Sequence, residues 1–259
     1  NRFFITIEQV LARFATDRIL TISQQQRDEI GGRFRVGRSD QHEVVAYGLD
    51  FSAPPGPSLH EILGLRAATP IVGLVGRLCE VKNHHMFIEA AEILKDRQVS
   101  VVFAIIGDGH LRNELEASVS ERGLGDIVRF TGFRDDAMNL YRDLSLVAIT
   151  SLNEGTPFTL IEAMNFSIPA VATAVGGVVD LMGGRINDEV TIDRVDSWQN
   201  GLTVQSRDAA AYADAVQYLL ENPARRRRMG ENAASFIKAN YSKERFISDI
   251  SALYNRLLN

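Results

Sequence analysis

The chain has 259 residues, 45% apolar and 24% charged, a length and balance that suit one large or two small folded domains and exclude collagen-like or wholly disordered chains. Its net charge of −5, from 28 basic and 33 acidic residues, gives no general attraction for nucleic acid or anionic lipid, although a local basic pocket can still hold a small anion. The longest apolar run, Val101 to Ile106, falls far short of the roughly 20 residues of a membrane-spanning helix, and the single cysteine, Cys79, allows neither an internal disulfide nor a multi-cysteine metal site.

Residues 1 to 50 are expected to run helix, strand, helix, strand. Ile7, Leu11 and Phe14 give a helical stripe, Arg18 to Ile22 a short strand, Ser23 with Gln26 a capping box, and Val44 to Tyr47 a second strand. That is too little to close a doubly wound domain, so the segment reads as the tail of a first domain. The chain, opening on Asn1 without an export signal, reads as a piece of something longer. Ser52 to Ser58 contains Pro54, Pro55 and Pro57, which continue neither a helix nor a central strand. The expected division is therefore 1–57, a remnant with its linker, and 58–259.

From residue 71 onward, short apolar runs alternate with amphipathic stretches: Ile71 to Val75, Val101 to Ile106, Ile127 to Thr131, Leu146 to Thr150, Pro169 to Thr173 and Gly201 to Val204. Continuous apolar strands separated by helices are what a parallel sheet covered on both faces requires, so the expected fold class is α/β with a doubly wound, Rossmann-like sheet. Residues 183 to 200 are expected to form a polar surface excursion. Three helices close the chain, at about 208–221, 224–239 and 243–258.

Chemistry gathers at the ends of these strands. After the first come Gly76, Arg77, Lys82 and Asn83, with a helix opening near Asn83. A helix N-terminus carries partial positive charge, so a lysine there is unfavourable unless an anion sits beside it, and phosphate is the natural candidate. The plain alternative is a pair of solvated cations. Gly107, Asp108 and Gly109 follow the second strand, but the third glycine of a dinucleotide fingerprint would fall at Arg112, which favours a tight turn over phosphate binding by this loop.

The densest stretch runs from Ser151 to Met164. Thr156 is expected to cap a helix whose first residue is Pro157, which would aim the amides of Phe158 and Thr159 at an anion or a sugar oxygen. Glu154 before that helix and Glu162 within it can accept hydrogen bonds from hydroxyls at two ends of one ligand. Taken singly, each also fits a surface charge. Gly176-Gly177 allows close backbone approach or a simple turn. His84 and His85 point about 100° apart on a helix with no third ligand near, so no metal is expected there. Arg225 to Arg228 spread around a helix as a solvated face rather than a nucleic-acid patch.

Together, Gly76-Arg77 with Lys82-Asn83, the Gly107 turn, Arg129 to Phe133, Glu154 to Met164, and Pro169 to Gly177 resemble, in order and spacing, the donor-binding half of the retaining glycosyltransferases of family 4, or group 1. The resemblance covers about residues 59 to 259, and Val45 to Asp50 looks like the end of that family's acceptor domain. It implies a GT-B type donor domain in which Arg77 and Lys82 hold the donor diphosphate, helped by the amides of Phe158 and Thr159. Glu162 would take the ribose hydroxyls and Glu154 the transferred sugar. Backbone near Phe133 and Arg134 would read the base. It further implies a nucleotide-sugar donor, a carbohydrate or glycolipid acceptor, no metal or other cofactor, and a cytoplasmic site of action with peripheral membrane association allowed. Where the family usually has Pro-Glu after the paired glycines, this chain has Val179-Asp180, and the excursion at 183–200 is longer than common. The piece alone is expected to bind donor but to transfer poorly. Competing expectations are a non-catalytic nucleotide-binding module and, from the Gly107 turn, a dinucleotide oxidoreductase.

Overall fold

A computed structural model describes residues 2–52, 55–186 and 192–258. Parts of the proline segment and of the 183–200 excursion lie outside the described residues. The chain forms two compact units, Asn1–Asp50 with Lys238–Asn259, and Phe51–Ile237.

The first unit opens with helix α1 (Arg2–Phe14) and strand β1 (Ile19–Thr21), followed by helix α2 (Gln24–Arg27) and strand β2 (His42–Val44). The strands pair in parallel, Ile19 against His42 and Thr21 against Val44, so the second strand begins earlier than the apolar run Val44 to Tyr47 suggests. Ser23 caps α2 by accepting from Gln26 N at 3.1 Å, while Gln26 Oε1 accepts from Ile22 N at 2.9 Å, one residue ahead of the expected capping-box partner. A six-residue wide turn of π type, Asp28–Arg33, continues the helix. The α1 stripe is largely exposed, with Phe14 at 77%, because only Ala12 of this helix is buried.

The second unit holds helix α3 (Leu59–Leu63), then β3 (Ile71–Val75), α4 (His84–Asp96), β4 (Val102–Ile106), α5 (Arg112–Glu121), β5 (Val128–Gly132), α6 (Ala137–Leu140), β6 (Leu146–Ile149), α7 (Phe158–Asn165), β7 (Ala170–Thr173), α8 (Val178–Leu181), β8 (Val195–Trp198), β9 (Gly201–Val204) and α9 (Ala209–Glu221). Helix α10 (Pro223–Tyr241) is shared by the two units, and α11 (Lys243–Leu258) ends the chain. Seven strands form one sheet in the order β5-β4-β3-β6-β7-β9-β8. The doubly wound α/β expectation thus holds. The six strands anticipated from apolar runs are parallel, and β8 pairs antiparallel with β9 at the edge. Helix α4 packs beside both α5 and α9, and α7 beside α8. Between sheet and helices, Phe87 meets Phe103 with ring centroids 4.8 Å apart, both fully buried. Burying each such side chain contributes about 1.5–3 kcal/mol.

Two features depart from the expected organisation. Residues 195–198, inside the anticipated polar excursion, form β8, joined to β9 by the two residues Gln199 and Asn200 and fastened by Trp198 Nε1 donating to Thr203 Oγ1 at 2.8 Å. Helix α11 groups with residues 1–50 instead of closing the second domain. Its Arg245 donates to the carbonyls of Ala46 and Tyr47 at 2.5 and 2.8 Å, and Gly48 lies so close that a Cβ there would stand 2.3 Å from Phe246 Cβ.

Candidate functional site

The strand order sets the place. The chain winds from β3 through β4 to β5 on one side, then returns to lay β6 on the other side of β3. Beyond the carboxyl ends of β3 and β6 the connections diverge and leave a crevice, the position where open α/β sheets bind ligands.

Backbone contacts stitch the strand-end loops around this crevice. Gly76 N donates to Ile106 O at 3.0 Å and Leu78 N to Asp108 O at 3.0 Å, which binds the β3 loop to the β4 loop. Gly107 has φ +148°, and a Cβ on it would lie 1.9 Å from Gly76 O, so the turn admits only glycine. The Gly107 motif therefore supports the neighbouring loop, as the tight-turn reading expects. On the other flank, Thr150 Oγ1 donates to Lys82 O at 2.8 Å and Leu152 N to Val81 O at 2.8 Å. Gly176, φ +52°, brings the β7 turn so near that a Cβ would stand 1.8 Å from Glu154 O.

These loops bring Lys82 and Glu154, 72 positions apart in the chain, together: Nζ lies 2.7 Å from Oε1, and Ser151 Oγ donates to the same Oε1 at 2.6 Å. The ammonium is 21% and the carboxylate 11% exposed. Lys82 ends a short 3-10 turn (Glu80–Lys82), and Asn83, φ +49°, leads into α4. Glu154 thus sets a negative charge against the lysine beside this helix start.

Gly76, Arg77, Phe133 and Arg134 line a cavity of about 340 Å³ together with Val75, Ile106, Gly107, Asp108 and Ala137. Lys82 is not one of its lining residues but lies beside one of them, its Cε 3.6 Å from where a Gly76 Cβ would sit. Arg77 is exposed and forms no ion pair among the described residues. The Arg134 side chain is committed to Asp136 through two bonds of 2.7 and 2.6 Å, and this bonding holds the Asp136 carboxyl below its ordinary range. Phe133 stands 77% exposed at the rim. A cavity of about 390 Å³ in the first unit is lined mainly by apolar residues such as Phe4, Ile19 and Phe34, with Glu8 and Arg18 among them, and gathers no comparable chemistry.

Helix α7 starts one residue later than expected. Pro157 is its N-cap, with φ −74° and ψ 106°, Phe158 its first residue, and Thr156 makes no capping bond. Proline at the cap fits, because its fixed φ suits the entry while its missing N–H leaves one fewer amide to satisfy. Phe158 and Thr159 still occupy the first turn. Glu162 is half-buried. It accepts from Tyr141 OH at 2.8 Å, and burial raises its carboxyl above the ordinary range while the tyrosine bond pulls it down. Burial and the Glu162 charge push the Tyr141 hydroxyl well up. Sequence reasoning gave no role to Ser151, Tyr141 or His84. The last is fully buried at the start of α4, and burial, then Lys82 and His85, lower it from 6.5 to about 4.

The structure is thus a doubly wound α/β domain with a pair of opposite charges, Lys82 and Glu154, at its switch point. The family model described as glycosyl transferases group 1 matches residues 57–236, and the chain belongs to that family. It is 34% identical over 246 residues to an alpha-D-kanosaminyltransferase of Streptomyces kanamyceticus, covering 92% of this chain and 60% of the relative. Among solved structures, the chain resembles a sucrose-phosphate synthase from Thermosynechococcus elongatus with TM-score 0.78 and 25% identity, over 100% of this chain and 62% of that one. It shares its fold with Anabaena Alr3699/HepE in complex with UDP, at TM-score 0.80 and 22% identity, covering 99% of this chain and 68% of that one. The chain thus spans about three-fifths of the curated relative's length. No described helix is long and apolar enough to cross a membrane.

Proposed function

We propose that this chain carries the nucleotide-sugar donor site of a retaining glycosyltransferase acting on a carbohydrate or glycolipid acceptor on the cytoplasmic side. The observation that carries the reading is Lys82 beside Glu154 at the β3/β6 switch point, with the lysine next to Gly76 of the cavity that Arg77 lines. Breaking the bond between a sugar and a diphosphate builds negative charge on the departing oxygens and positive character on the sugar. Arg77 offers a planar fork and Lys82 a point charge to the first, and the start of α7 at Phe158 and Thr159 adds dipole and amides. This arrangement needs no metal ion.

Glu154 meets the second requirement, orienting sugar hydroxyls and favouring the cationic centre. Glu162, steadied by Tyr141, accepts from the ribose hydroxyls. With the Arg134 side chain held by Asp136, the backbone at Phe133 and Arg134 faces the base. Retention follows if the acceptor attacks on the face the diphosphate leaves, with the departing phosphate taking the acceptor's proton and no protein nucleophile involved. Binding of UDP by the HepE structure agrees with a nucleoside diphosphate as the ligand. Calorimetric titration of this chain with uridine, guanosine and adenosine diphosphates tests the reading. At least one binds, chelators leave the affinity unchanged, and Arg77→Ala and Lys82→Ala each weaken it at least about tenfold. Affinity unchanged from the wild type in both variants refutes the reading.

A further inference from the structure

We propose that Ser151 is a positioning residue which holds one oxygen of the Glu154 carboxylate so that the other is presented to a hydroxyl of the ligand's sugar. The proposal rests on the donor-site reading above and adds a residue to it.

Three hydroxyls mark the ends of β6 and β7, and their partners differ. Thr150 donates to the carbonyl of Lys82 and Thr173 to that of Ser151 at 2.7 Å, so both brace the main chain. Ser151 instead donates to a side chain, Glu154 Oε1, at 2.6 Å, a length typical of a hydroxyl on an ionised carboxylate. Its own position is secure: it is 2% exposed, and its carbonyl is held by the fully buried Thr173. A carboxylate only accepts, and here both donors, Ser151 and Lys82, converge on Oε1. Oε2 accepts from no described residue and is not a sealed orphan atom, so it remains open to a ligand.

The two donors differ once an anion arrives. A diphosphate competes with Glu154 for the ammonium of Lys82, because both are negative and the lysine is a point charge with three donors. Nothing comparable competes for the buried Ser151 hydroxyl. Ser151 is therefore the anchor that keeps Glu154 in place while Lys82 turns to the phosphates, and the benefit falls on contacts to the sugar.

The test uses this chain and two ligand sets: uridine, guanosine and adenosine diphosphates, and their glucose esters. The quantity read is the sugar increment, the ratio of the Kd of the parent diphosphate to that of its ester. Ser151→Ala lowers this ratio about three- to tenfold, and Ser151→Thr, which keeps the hydroxyl, restores it to within about twofold. In a Glu154→Gln background, Ser151→Ala makes no further difference to the ratio, as expected for two residues acting as a unit and not for independent packing effects. Should Ser151→Ala fail to fold, Ser151→Cys, similar in size with a weaker donor, carries the comparison. An unchanged ratio in Ser151→Ala, an effect fully additive with Glu154→Gln, or a wild-type ratio of one overturns the proposal. If Lys82→Ala still weakens the parent diphosphate in those cases, the donor-site reading survives. If none of the six ligands binds, both fall.

Discussion

Replacing Lys82 by alanine does two things at this site: it removes a cation, and it strands the Glu154 carboxylate, 11% exposed, beside the path of an incoming anion. At an effective dielectric of about 20, unit charges about 4 Å apart interact by about 4 kcal/mol, and one charge-assisted hydrogen bond contributes about 1.5–3 kcal/mol net. Because Lys82 already serves Glu154, diphosphate binding to the wild type exchanges one charged partner for another and realises only part of this energy. The alanine variant loses that part and adds repulsion from Glu154, so affinity falls at least about tenfold, or about 1.4 kcal/mol. Glu154→Gln acts oppositely. It frees Lys82 from its competitor and tightens binding of a sugar-free diphosphate about two- to fivefold. The double variant lies between the two singles. Titration calorimetry at two ionic strengths reads all four proteins, with the differences shrinking in salt. If Glu154→Gln weakens the diphosphate as much as Lys82→Ala does, the pair is a strut and the competition argument is refuted.

Burial keeps His84 neutral, lowered from 6.5 to about 4, so the unfolded chain binds its proton first as pH falls. The corresponding stability, about 3 kcal/mol, is present above pH 6.5 and disappears on the way down to about pH 4. Urea unfolding across that window shows it, and His84→Met flattens the slope; identical slopes contradict the assignment. The Glu162 carboxyl is raised by burial, so its charged form burdens the fold at neutral pH and the burden lifts as pH falls through the raised value. Glu162→Gln therefore raises the thermal midpoint at pH 7, with the advantage vanishing in acid; a lower midpoint at pH 7 would argue that the Tyr141 bond outweighs burial. Gly107→Ala places a Cβ 1.9 Å from Gly76 O and costs about 1–3 kcal/mol, visible as a lower urea midpoint together with weakened diphosphate binding. Retention of both properties would show that the two loops are free to part.

The sheet was legible because a parallel strand buried on both faces must be apolar along its length, as Val102 to Ile106 and Leu146 to Ile149 are. Strand β8 escaped because Val195 to Trp198 sets two polar residues, Asp196 and Ser197, between its apolar ends inside a polar stretch, although the Asn200-Gly201 pair is a hairpin signal. The cations and carboxylates of the site were visible as residues in motifs. Their pairing was not: nothing local tells Lys82 that its partner is Glu154, since the strand order of a folded sheet makes that contact. The same holds for Tyr141 on Glu162 and for Arg245 reaching carbonyls nearly two hundred residues earlier. Ser151 sat in plain sight three positions before Glu154, but a serine there reads as loop chemistry until its hydroxyl direction is known.

A crystal structure of this chain with a bound nucleoside diphosphate is the most direct measurement of the site. Phosphate oxygens are expected within about 3 Å of both the Arg77 guanidinium and the Lys82 ammonium, with the base in the cavity beside Phe133. A nucleotide seated elsewhere, or a diphosphate at the crevice with both cations turned into solvent, would contradict the donor-site reading.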